Sequence, residues 1–89
     1  MSASSETHSA EVVLPAHLHA RPAGALVQVA ARFSSTVEVS YGDRTVSARG
    51  VLGLMSLGAL AGSTVVVRAT GSDATDAVKA VVEVLSLSE

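Results

Sequence analysis

Apolar and polar positions change period several times along this chain, and each change marks an element. Glu11-Val12-Val13-Leu14 is a short, β-branched run that stops at Pro15, which predicts a first strand. Apolar residues then recur at Ala23, Leu26, Val27, Ala30 and Phe33, a spacing that paints one face of a helix. From Thr36 to Tyr41 the pattern alternates, with Val37 and Val39 on one side and Glu38 and Ser40 on the other. Gly42-Asp43 suits a two-residue hairpin turn, with Gly at the first central position, and Arg44 to Ala48 returns as the partner strand.

The second half reads less evenly. Gly50 to Leu57 is nearly all apolar, and Gly53 weakens a helix there. Gly50 can serve as N-cap and Gly58 as a stop, so the run admits, without dictating, a helix of about two turns. Ser63 to Ala69 is a β-branched run that predicts a buried strand, with Gly71 as a break after it. Ser72-Asp73 then opens a last helix with a capping residue and early acids that suit the helix dipole. Ala74, Ala77, Val78, Val81, Val82 and Leu85 mark its buried face. The order is β-α-β-β-α-β-α, which predicts an α+β fold: a two-layer, open-faced sandwich whose helices cover one face of a four-stranded sheet.

Composition narrows the function more than the fold. Eighty-nine residues make one small domain with a single core. Hydrophobic residues are 48% of the chain, with one Phe, one Tyr and no Trp, so the core is aliphatic and an aromatic-walled cofactor pocket is not expected. Without cysteine there is no disulfide, no thiolate catalysis and no cysteine-ligated zinc. The net charge is −2, and the six Lys and Arg residues are scattered, which argues against a nucleic-acid footprint. Met1 to Ala10 is polar and Ser-rich, with no apolar core, and reads as a flexible extension rather than a signal peptide, ahead of a domain at residues 11–89. Gly50 to Val67 is too broken by Gly, Ser and Thr for a membrane span, so a cytoplasmic protein is expected.

The chemistry concentrates at His19-Ala20-Arg21-Pro22-Ala23, where the first strand gives way to the first helix. Free N–H groups and the positive end of the dipole make a helix N-terminus an anion site. Arg21 adds a permanently charged, forked donor suited to phosphate oxygens, and the fixed φ of Pro22 suits a first turn. A histidine so placed is a nucleophile whose phosphorylated form is held by its neighbours. His17 and His19 also form a His-x-His pair, with His8 upstream, but nothing fixes a third ligand nearby and no metal site is expected. A nucleotide loop, paired carboxylates and a metal cluster are all missing, so the chain does not read as an autonomous kinase or phosphatase.

His19 to Ala23 resembles the active-site signature of the histidine-containing phosphocarrier (HPr) family of the phosphoenolpyruvate-dependent sugar phosphotransferase system. Gly50-Val51-Leu52-Gly53-Leu54-Met55-Ser56-Leu57-Gly58 resembles that family's segment around its short second helix, at a fitting separation. The resemblance implies an antiparallel sheet of strand order 1-4-2-3, with three helices on one face. It implies phosphorylation at Nδ1 of His19, with Arg21 and the Ala20 and Arg21 backbone holding the phosphate. The donor is then an enzyme I-like protein and the acceptors enzyme IIA-type proteins. Val51, Leu52 and Met55 match the family's exposed apolar docking patch. No cofactor is implied in the protein itself, and a monomer is expected. A second function stays open: a regulatory binding module whose phosphorylation state controls a partner outside sugar transport.

The chain departs from the family in two places. The family usually carries Gly two residues before the active histidine, with a small polar residue ahead of it; here these are His17 and Ala16. Gly50 stands where Gram-positive members carry a regulatory serine, so kinase control at residue 50 is not expected; Ser47 and Ser56 only flank it.

Overall fold

The computed structural model describes residues 6–87. Strands β1 (Glu6–Val13), β2 (Thr36–Tyr41), β3 (Arg44–Ser47) and β4 (Thr64–Gly71) form one sheet of order β1-β4-β2-β3. Every neighbouring pair is antiparallel. Helices α1 (Ala20–Ala30), α2 (Val51–Met55) and α3 (Ala74–Ser86) complete the expected β-α-β-β-α-β-α order. α3 packs on β1 and β4, α1 lies beside α3, and α2 packs against α1 and β3.

The alternation read from the sequence puts Val12, Val37, Val39, Val65, Val67 and Ala69 into the core from the sheet. Leu26 from α1, Leu54 from α2, and Ala77, Val81 and Leu85 from α3 meet them there, in one aliphatic cluster. The other face of the sheet carries polar residues, among them an Arg68–Glu38 ion pair at 3.0 Å. That pair is exposed, and such pairs contribute roughly 0–1 kcal/mol. The hairpin is built as expected: Gly42 has φ +63° and no other residue of the turn has positive φ, so the first central position alone needs glycine.

Four boundaries differ from the pattern. β1 starts at Glu6, with Glu6 opposite Gly71 and Ala10 opposite Val67, so residues 6–10 are paired strand and not extension. Residues 1–5 of the expected extension lie outside the described residues, as do the last two of the expected domain. Gly71 does not break β4 but ends it in register with Glu6. α2 is a single short helix of five residues, narrower than the expected Gly50 to Leu57 but with Gly50 as its N-cap. Phe33 falls beyond the end of α1, half-buried in the turn that follows.

Candidate functional site

The segment from Leu14 to His19 lies on the loop between α2 and β4, and four hydrogen bonds stitch the two together. Leu14 N–H donates to Ser63 O at 2.9 Å, Gly62 N–H to Leu14 O at 2.8 Å, and Leu18 N–H to Ala59 O at 3.0 Å. The fourth runs to a side chain: Ala61 N–H donates to Nδ1 of His17 at 2.8 Å. Leu14 and Leu18 are buried, whereas His17 and His19 on either side of Leu18 are exposed. The tight turn that His19 N–H closes on His17 O at 2.8 Å leaves Leu18 inward and both imidazoles outward.

His19 is the N-cap of α1, with extended backbone dihedrals and no hydrogen bond from its side chain to the helix. Its carbonyl accepts the first helical bond, from Ala23 N–H at 3.0 Å. Pro22 is the third helical residue, buried, and its missing N–H falls where a helix has no internal acceptor to offer. Among the described residues, the N–H groups of Ala20 and Arg21 have no partner, and neither ring nitrogen of His19 is hydrogen-bonded. Arg21 is exposed and makes no ion pair or side-chain hydrogen bond among the described residues. No acid stands in the first turn of α1 to offset the dipole. A cation there opposes the positive helix end, and an incoming anion removes that conflict. A nucleophilic ring, two free N–H donors and an uncommitted guanidinium thus share one exposed helix end.

The expected docking residues separate by burial. Leu52 is 81% exposed and Met55 37%, while Val51 is only half-buried at the edge of the core. Leu54 and Leu57, from the same apolar run, are buried and anchor α2. Leu60 was not legible from pattern: it is 55% exposed in the loop that also carries Ala59 and Ala61. Ala61 itself has no side-chain signal to find, because it acts through its backbone. The hydroxyls flanking Gly50 are both engaged: Ser47 Oγ accepts from Arg49 N–H at 3.1 Å, and Ser56 Oγ donates to Gly53 O at 2.6 Å. Among the described residues no group of three or more His, Cys, Asp or Glu could hold a metal ion, and no helix is long and apolar enough to cross a membrane.

An open-faced sandwich with an uncommitted imidazole and guanidinium at the start of its first helix has the parts of a small phosphocarrier domain. Residues 6–86 match the family model described as the PTS HPr component phosphorylation site. Among solved structures the chain is similar to HPr-C-His from Thermoanaerobacter tengcongensis, at 38% identity over 90% of each chain, with a TM-score of 0.78. It is similar to the phosphocarrier protein HPr of Bacillus anthracis str. Ames, at 32% identity over 93% of this chain and 99% of that one, TM-score 0.79. It is also similar to Crh, the catabolite repression HPr of Bacillus subtilis, at 33% identity over 94% and 100%, TM-score 0.76. The chain belongs to the HPr family, whose members carry a phosphoryl group within the phosphotransferase system and are not themselves catalysts.

Proposed function

We propose that His19 is the phosphoryl acceptor, charged by an enzyme I-like donor and discharged to enzyme IIA-type proteins in the cytoplasm. The observation that carries this reading is the His19 ring at the N-cap of α1, which with the Ala20 and Arg21 N–H groups and the Arg21 guanidinium has no partner among the described residues. In the transfer, the lone pair of His19 Nδ1 attacks phosphorus, a P–N bond forms, and the bond to the donor breaks. The phosphoryl dianion then meets Arg21 and the two N–H groups, which were placed before it arrived. The assignment to Nδ1 comes from the family signature. The loose character of phosphoryl transfer leaves little covalent work to the carrier, and positioning is its contribution.

Leu52 and Met55, with Val51 at their edge, form the docking surface in this reading, since an exposed apolar patch beside a charged site suits transient partners. All the site residues come from one chain, so a monomer suffices for function. The likeness to Crh supports one rival, a regulatory module that binds partners according to its phosphorylation state. The deciding experiment incubates the protein with phosphoenolpyruvate, magnesium and a compatible enzyme I. An acid-labile phosphate on wild type, absent from His19→Ala, is the expected result. No phosphate from a donor that charges its own carrier overturns the reading of His19 as acceptor.

A further inference from the structure

We propose that His17 is a second phosphate-contacting residue, whose Nε2–H hydrogen-bonds a phosphoryl group carried on His19. The proposal rests on His19 as acceptor. Its first support is the tautomer. Nδ1 of His17 accepts the Ala61 N–H at 2.8 Å, so that nitrogen holds a lone pair and the neutral ring carries its proton on Nε2. The same bond fixes the ring's orientation from a loop far away in sequence.

Position is the second support. The His17 and His19 rings lie 5.2 Å apart, centre to centre, tilted by 48°. His19 N–H donates to His17 O at 2.8 Å, a tight turn that draws the two residues together, and Leu18 between them is pinned by Ala59 O. Both rings are exposed, and among the described residues Nε2 of His17 has no partner. A phosphoryl group extends His19 by a P–N bond and its oxygens, a reach comparable to the gap between the rings. A donor on a ring held by Ala61, and unpartnered among the described residues, thus lies within a phosphoryl group's reach of the His19 ring, and a bond to a dianion is charge-assisted.

The consequence has a definite sign. On hydrolysis, water attacks phosphorus, the P–N bond breaks, a proton passes to the imidazole nitrogen, and inorganic phosphate leaves. In a loose transition state the outer oxygens surrender charge as the metaphosphate-like group separates. A donor on those oxygens then favours the carried phosphate over its departure. His17 prolongs the lifetime of the phosphorylated state.

The test uses the full chain, phosphorylated by phosphoenolpyruvate and enzyme I, freed of donor, and followed by intact mass at neutral pH. His17→Leu is expected to lose phosphate about 3–10-fold faster than wild type, as loss of part of a charge-assisted hydrogen bond would give. His17→Gln, whose amide both accepts and donates, is expected to recover most of the lifetime. In wild type, the ¹⁵N resonance of His17 is expected to show the Nε2–H tautomer and to shift when His19 is phosphorylated. Equal lifetimes in wild type and His17→Leu, or an Nε2 resonance unmoved by phosphorylation, overturn the role of His17 and leave His19 as acceptor. No phosphate on wild type at all overturns the His19 reading, and this inference with it.

Discussion

The carboxylate of Asp73 reaches across to Ser35 instead of capping its own helix. Oδ1 accepts the Ser35 N–H at 2.9 Å and also the Ser35 hydroxyl, while Oδ2 accepts the Ser34 N–H at 2.9 Å. Asp73 occupies the N-cap position of α3 yet makes no side-chain bond to that helix. The contact clips the α1–β2 turn to the junction of β4 and α3. It ties the far end of the helix capped by His19 to β4, one of the two inner strands of the sheet.

These bonds, the Ser35 hydroxyl first and the Ser34 N–H next, lower the Asp73 pKa from 3.8 to about 2. A carboxyl held below its unfolded value adds stability above that value and loses it as pH falls through the folded one. Asp73→Ala is therefore expected to melt at a lower temperature than wild type at pH 7. The deficit should hold constant down to about pH 4 and close between there and pH 2. Thermal unfolding of both proteins across that range checks it, and a deficit that persists at pH 2 would assign the loss to packing instead.

Ser35 also explains why position 71 is a glycine. Gly71 has φ +147°, and a Cβ there would stand 2.6 Å from Ser35 Oγ and 2.8 Å from its Cα. Gly71→Ala has to move the backbone of a buried residue or strain its own, at a cost of about 1–3 kcal/mol. Urea unfolding should show the midpoint fall with no change in slope. Unchanged stability would mean that the clip around Ser35 is loose.

These cases show what local pattern does and does not encode. The β2–β3 hairpin, the stripes of α1 and α3 and the Val65-Val67-Ala69 face of β4 were legible because each buries a periodic set of side chains. Glu6 to Ser9 was not, because an edge strand exposed on both faces has no apolar alternation to show. Its pairing is dictated by β4. Ser72-Asp73 was read as a capping residue with early acids and Gly71 as a break, but distant residues decide both: Ser34 and Ser35 take the Asp73 carboxylate, and Gly71 pairs with Glu6. At the site, the His19 and Arg21 signature was legible as a run of residues. The hold of Ala61 on His17 was not, since a backbone N–H leaves no trace in residue identity.

The two leucines of α2 separate anchoring from docking. Leu54 is fully buried, and Leu54→Ala is expected to cost about 2–5 kcal/mol. Leu52 is 81% exposed, and Leu52→Ala is expected to change stability by no more than about 0.5 kcal/mol. In the docking role proposed for it, the KM of the enzyme I-like donor for this carrier should rise about tenfold, the scale of an anchoring apolar contact. Steady-state phosphorylation with the carrier as varied substrate measures this. An unchanged KM would remove Leu52 from the docking surface.

Arg21 offers the sharpest separation of folding from function, because the two effects carry opposite signs. Its guanidinium stands in the first turn of α1 without a partner among the described residues, and no acid lies in that turn. A cation at the positive end of a helix costs roughly 0.3–1 kcal/mol, so Arg21→Gln is expected to leave the melting temperature unchanged or raise it slightly. The phosphoryl group reverses the balance. In the role proposed for Arg21, the dianion on His19 needs the charge that the helix end disfavours, and removal of one such preorganised donor slows a transfer by about 10²–10³-fold. Single-turnover transfer from phosphorylated donor to the variant should therefore slow by that order while the fold is no weaker. A variant that transfers at the wild-type rate would leave Arg21 as a solvated surface residue. One that loses stability would show that Arg21 has a partner in the fold.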